Sequence, residues 1–259
     1  MKIDLHNHTV RCNHAEGTID AYIQKAIALG IDIYGFSEHA AMDFDEGYRL
    51  GFDEMAPYQH EILEARERYQ DLIDIRLGYE VDWLPGHIDE RVLGANVDFL
   101  IGSVHFINTW SFDNPEFIGG WKDRDVDEIW QAYFEAITQM AKSGKFDIVG
   151  HFDLIKVFKY LPQKDIRLLA KEALHAIKAS GMVLEVNTSG LRKPIQEIYP
   201  SKTLLQEAYA LDIPITFGSD AHKVEQVGAG LEEAYALAKS IGYTKAVTFR
   251  DRQREMVNF

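Results

Sequence analysis

Apolar positions along this chain alternate between two rhythms. Seven short runs, at residues 2–5, 33–37, 75–79, 99–104, 148–150, 182–187 and 215–219, are rich in Ile, Val, Leu, Phe and Tyr and short enough for strands. Between them the spacing shifts to the helical period, predicting helices over residues 21–29, 58–69, 126–142, 166–179, 202–211 and 231–241. Caps frame several of these: Asp125 and Ser201 at N-termini, and Gly30, Gly144, Gly181 and Gly242 past C-termini. Alternating strands and helices with largely apolar strands imply a parallel sheet covered on both faces, an α/β fold. Residues 108–124 are aromatic and contain glycine without a clear period, and read as a long loop.

Length and composition narrow the setting. With 259 residues and 46% apolar content, the chain matches one α/β barrel, a single domain over residues 1–259. Its only cysteine, Cys12, excludes an internal disulfide. No apolar run approaches the roughly 18 residues of a membrane span, and no basic stretch leads into an apolar core at the start. The expectation is a cytoplasmic protein without a membrane partner. A formal charge of −14 argues against nucleic acid as a partner, because such surfaces need basic patches.

The chemistry lies at the strand ends. His6-Asn7-His8 closes the first run, and side chains at i and i+2 share one face of an extended strand, so both imidazoles reach one metal ion. His39, Glu80, His105, His151 and the pair Asp220 and His222 follow the other runs, with His14 in an adjacent turn. Ligands at the C-terminal ends of six of seven strands converge best in a closed barrel, whose active site gathers the loops after every strand. A lone strand-end histidine is more often structural, but seven of the ten histidines occupy such ends or adjacent turns. His60 and His175 fall within helical patterns as solvated residues, and His87 in a surface turn. Cys12 reads as an inert buried thiol, and Gly228-Ala229-Gly230 as a turn before a helix. Glu38 fits either a ligand-orienting role or that of a buried, satisfied carboxylate, and Asp153 fits a ligand-orienting role, a place near the leaving group or a structural role.

This set, His6-x-His8, His14, Glu38-His39, Glu80, His105, His151 and Asp220-x-His222, resembles the metal-ligand pattern of the PHP (polymerase and histidinol phosphatase) family over nearly the whole chain. The strings Gly78-Tyr79-Glu80-Val81-Asp82, Gly150-His151-Phe152-Asp153-Leu154 and Glu185-Val186-Asn187-Thr188-Ser189-Gly190-Leu191-Arg192-Lys193 are similar, more narrowly, to its monofunctional histidinol-phosphate phosphatases. The resemblance implies a distorted (β/α)7 barrel holding three divalent ions, with zinc, iron and manganese all compatible with the ligand types. His6, His8, Glu80 and Asp220 would hold the first ion; Glu80, His105 and His151 the second, with Glu80 bridging; His14, His39 and His222 the third. It also implies a phosphate contact by Arg192, and Lys156 stands where that group tends to carry a second such arginine.

Three divalent ions against the two carboxylates Glu80 and Asp220 leave about four net positive charges, a setting suited to a phosphomonoester dianion. Water shared by two such ions has its pKa lowered from about 16 toward neutrality, which makes hydroxide available as the nucleophile. The implied activity is hydrolysis of L-histidinol phosphate to L-histidinol and phosphate by a metal-bridging hydroxide, a step of histidine biosynthesis. Three alternatives stand beside it: a PHP phosphoesterase or nuclease acting on nucleotides or nucleic-acid ends, an amidohydrolase-type deaminase, and a degenerate barrel without catalysis. The acidic surface weighs against the first, and the glutamate bridge with Asp220-Ala221-His222 against the second. The complete ligand set weighs against the third.

Overall fold

The computed structural model describes residues 1–259. The strands are β1 (Ile3–Asp4), β2 (Ile33–His39), β3 (Asp74–Asp82), β4 (Phe99–Ser103), β5 (Phe106–Ile107), β6 (Trp110–Ser111), β7 (Ile148–Val149), β8 (Val183–Asn187), β9 (Ile215–Gly218), β10 (Lys245–Arg250) and β11 (Gln253–Asn258). Seven of them form one sheet in the order β1-β2-β3-β4-β7-β8-β9, every neighbouring pair parallel. Its two edges meet. Leu5 N–H donates to Phe217 O at 2.9 Å, Asp220 N–H to His6 O at 2.7 Å and His8 N–H to Ala221 O at 3.0 Å. Asp4 reinforces the seam, accepting from Ser219 N–H at 2.8 Å and from its hydroxyl at 2.6 Å. The sheet is therefore a nearly closed seven-stranded barrel, the architecture that the convergence of strand-end ligands requires.

The helices are α1 (Ile19–Ala28), α2 (Met55–Tyr69), α3 (Glu90–Leu93), α4 (Val126–Lys142), α5 (Ile166–Ser180), α6 (Lys202–Ala210) and α7 (Leu231–Ile241). Each predicted helix is present, and α4 and α7 have the predicted bounds. The caps explain the agreement: the Asp125 carboxylate accepts from Asp127 and Glu128 N–H, the Ser201 hydroxyl from Leu204 N–H, and Gly181 ends α5 at φ 75°. One cluster of 70 buried apolar residues, from Ile3 to Phe249, fills the barrel and the layer beneath the helices. Inside the barrel the absent side chain of Gly78 makes room for Phe99, whose ring edge would lie 2.5 Å from a Cβ there.

Three features lacked a periodic signal. The antiparallel hairpin β10–β11 lies across the N-terminal ends of the strands, where Arg252 N–H donates to Asp98 O at 2.9 Å and Arg250 pairs with Asp74 at 2.6 Å. The one-turn α3 is too short to show a repeat. The expected loop 108–124 contains β6 and a 3-10 helix, Pro115–Trp121, pinned by the buried Phe112 and Trp121. No helix is long and apolar enough to cross a membrane.

Candidate metal centre

Glu80 is the hub of the barrel's C-terminal end. It lies on β3, 1% exposed, and its two oxygens face opposite groups of histidines. Oε1 is 2.9 Å from His151 Nε2 and 3.6 Å from His105 Nε2. Oε2 is 3.2 Å from His6 Nε2, 3.5 Å from His8 Nε2 and 3.0 Å from His39 Nδ1. Asp220 Oδ1 adds a second carboxylate 3.3 Å from His8 Nε2. These residues come from β2, β3 and the segments after β1, β4, β7 and β9, so closure of the barrel is what brings them together.

Three groups of side chains here have the spacing of metal sites: His6, His8 and Glu80; Glu80, His105 and His151; and His14, His39 and His222. Within each, the donor atoms lie within 4.8 Å of one another. Nε2 of His6, His8 and His222 and Nδ1 of His151 are buried without a hydrogen-bond partner. Burying such a nitrogen is costly unless a cation or proton engages it, so these side chains fit a cluster of divalent ions. Cys12 Sγ is also near His8 and His222, but it donates to Thr9 O at 3.2 Å, and burial with the nearby Glu38 carboxylate pushes its thiol well above the usual range. A thiol held in that form is a poor ligand.

Electrostatics divides the histidines. Burial opposes protonation of His105, yet Asp82 and Glu80 lift it to about 10. Burial and the nearby His8 push His39 down to about 4, and burial likewise lowers His14 and His222. The first behaviour marks a place that demands positive charge, and the second supplies neutral imidazoles with a free lone pair.

A ring of buried partners fixes the histidine orientations. His6 Nδ1–H donates to Glu185 Oε1 at 2.7 Å, and His105 Nδ1–H to Asp82 Oδ1 at 2.5 Å. Glu38 takes His8 Nδ1 at 3.3 Å together with His39 N–H at 3.0 Å. Of the two readings for Glu38, the orienting one describes its contacts. Glu185 and Asp82 fall within the family-like strings, but nothing in those strings assigns either residue a role. The available signal was period-two spacing, since Asp82 is two residues beyond Glu80 and Glu185 two before Asn187, which borders Asp220 at 3.4 Å. A Cβ at Gly218 would collide with His6 and with the Glu185 carboxylate, so that glycine makes room for the pair.

A cavity of about 420 Å³ opens onto the cluster, lined by His14, His39, Glu80, His105, His151, Asp220 and His222 and also by Asp113, Arg192 and Lys193. Arg192 Nη2 donates to Ser219 O at 2.7 Å and Asp220 O at 3.1 Å, while Nε and Nη1 make no hydrogen bond within the chain. Lys156 is not brought to the cavity. It is 2% exposed, and its ammonium is held by Glu197 at 2.7 Å, Ile198 O at 2.9 Å and Asp153 at 3.0 Å. The expected phosphate contact is thus replaced by a buried ion pair, because Lys156 lies on a 3-10 turn that carries it against Tyr199 instead of the cluster. Asp153 is correspondingly the partner of Lys156 and of Ser201 N–H, and orients no histidine. His60 and His175 are exposed, and His87 pairs with Asp43 at 2.9 Å.

The family model for the PHP domain matches residues 4–189, and the model for the PHP-associated region matches residues 205–233. A protein of Deinococcus radiodurans named "Probable histidinol-phosphatase" is 36% identical over 257 residues, covering 97% of this chain and 98% of its own. The "Histidinol-phosphatase" of Bacillus subtilis is 34% identical over 265 residues, covering 90% and 97%. In three dimensions the chain is similar to a crystal structure of histidinol phosphate phosphatase from Lactococcus lactis, complexed with zinc, L-histidinol and phosphate. That likeness has a TM-score of 0.82 at 24% identity, over 98% of both chains.

Proposed function

Given that this chain belongs to the PHP-domain family, we infer that it is a metal-dependent phosphatase hydrolysing L-histidinol phosphate to L-histidinol and phosphate in histidine biosynthesis. The observation that carries this reading is the convergence of seven histidines, Glu80 and Asp220 at the barrel's C-terminal end, five of the histidines lining one cavity. Relatives named histidinol-phosphatase at 36% and 34% identity, aligned over nearly their full length, supply the substrate.

Three divalent ions fit the donors. His6, His8, Glu80 and Asp220 would hold one, Glu80, His105 and His151 a second, and His14, His39 and His222 a third. When bound, such ions acidify a water and neutralise the phosphate oxygens. The chain's own groups do the rest. Glu80, with two oxygens facing two histidine groups, is the side chain suited to bridging. Glu185, Asp82 and Glu38 hold His6, His105 and His8 in one tautomer, each with Nε2 turned toward Glu80. Arg192, anchored by one nitrogen to the β9 turn, keeps the rest of its fork for the phosphate. The buried cluster continuous from Ile3 to Phe249 supports one barrel domain over residues 1–259. The acidic surface supports a small-molecule substrate over nucleic acid, and we assign the protein to the cytoplasm.

The test is a phosphate-release screen over L-histidinol phosphate, nucleotides and short oligonucleotides, paired with elemental analysis of the purified protein. Histidinol phosphate is expected to be the preferred substrate by a wide margin. Equal or faster release from nucleotides overturns the reading in favour of a broader phosphoesterase.

A further inference from the structure

One carboxylate in the cavity wall has no cationic partner. Glu80, Asp82 and Asp220 each face imidazole or guanidinium groups at ion-pair distance, and Asp45 faces Arg49 at 3.4 Å. Asp113 accepts only from the Ser111 hydroxyl at 3.4 Å, and no Lys, Arg or His nitrogen comes within 4.0 Å of it. It nonetheless lines the same cavity. Burial raises its pKa, against the pull of His105, His151 and Lys193. Its backbone is pinned on both sides: Phe112 is fully buried, and Asn114 caps the following 3-10 helix by accepting Glu116 N–H at 2.9 Å.

We propose that Asp113 receives the substrate's ammonium group and makes the enzyme selective for an aminoalkyl phosphomonoester over one without the amine. This rests on the reading of the protein as a histidinol-phosphate phosphatase. In L-histidinol phosphate the ammonium sits on the carbon next to the ester carbon. A phosphate seated against the Glu80 cluster therefore carries a positive charge a short way beyond the ester, inside the cavity that Asp113 lines. A partly desolvated carboxylate without a cation is unfavourable in the free enzyme and is compensated when the ammonium arrives. A ligand lacking that group leaves it uncompensated, which is how a polar pocket discriminates strongly against an analogue missing one donor.

The experiment compares L-histidinol phosphate with 3-(imidazol-4-yl)propyl phosphate, the same ester without the amine, on wild type and Asp113→Asn. Each ester is compared with itself across the two proteins, and both release an alkoxide, so a role in protonating the leaving oxygen would lower both in the variant. Wild type should prefer the amine-bearing ester. Asp113→Asn should lower kcat/KM for it by roughly 30-fold, mainly through KM, and change the deamino ester by less than about threefold. Turnover of the deamino ester also reports that the variant is folded. An equal fall on both esters, or a wild type indifferent to the amine, overturns the assignment of Asp113. A wild type that hydrolyses p-nitrophenyl phosphate but not L-histidinol phosphate overturns the functional reading itself, and this proposal with it.

Discussion

His6 and Glu185, 179 residues apart in sequence, meet at 2.7 Å with both side chains buried. The same carboxylate accepts His151 N–H through its second oxygen at 2.8 Å. One side chain on β8 therefore sets the orientation of a histidine just after β1 and the backbone of another after β7. Replacing it removes no proposed ligand but loosens two. Glu185→Ala should weaken metal affinity and lower turnover by about 10- to 100-fold, as loss of an outer partner usually does. Glu185→Gln, which still offers His6 an acceptor oxygen, should recover part of this. Metal titration with phosphate-release kinetics checks it; wild-type metal affinity in the alanine variant would refute it.

Glu80→Gln should abolish nearly all activity and lower bound metal while the circular dichroism spectrum is kept. The amide preserves shape but loses the charge needed between two cations, and the 70-residue apolar cluster does not include this side chain. Turnover within a few-fold of wild type would rule out the bridging role.

His14 belongs to the group whose imidazoles burial holds neutral, and it leans on Cys12 O at 2.8 Å. His14→Ala should cost about one equivalent of metal and reduce turnover, with the other two ions retained. Elemental analysis showing loss of all the metal, or of none, would contradict the division into three groups.

Arg192 and Lys156 should separate cleanly. Arg192→Ala should lower kcat/KM for histidinol phosphate by about 30- to 150-fold with metal content unchanged, and lysine there should restore only part. Lys156→Ala should instead act on stability. It leaves Asp153 buried without its cation, a loss on the order of 3 kcal/mol in denaturant unfolding. A KM effect from Lys156→Ala without a stability loss would return it to the phosphate site.

Chelation should remove activity reversibly and lower thermal stability without unfolding the barrel. The buried nitrogens of His6, His8, His151 and His222 would lose their cations, whereas the apolar core is independent of them. Readdition of zinc, manganese or iron should restore turnover, and a melting temperature unaffected by chelation would contradict metal occupancy at these residues.

The barrel and most of the cluster are legible in the chain itself because both rest on local periodicity. Strand runs alternate with helical ones, and caps such as Asp125 and Gly181 mark helix ends through bonds to their own neighbours. His6-x-His8 and Asp220-x-His222 announce themselves by the same local spacing, each pair standing two residues apart just past the end of β1 or β9. Whatever depends on residues distant in sequence was decided only by the folded chain. Glu185 is one apolar-flanked glutamate among many until closure of the sheet sets it beside His6. Asp82 gains meaning only once Arg49 and His105 converge on it. Lys156 stands where the phosphatases that the sequence resembles tend to carry a second phosphate-contacting arginine, and that position makes it look like a phosphate contact. The 3-10 turn after β7 directs its ammonium into Asp153 and Glu197, because a buried charge settles where oxygens compensate it. The hairpin β10–β11 belongs to the same class: its strands are held by pairing with each other and by ion pairs to Asp74 and Asp147, contacts that leave no period in the sequence.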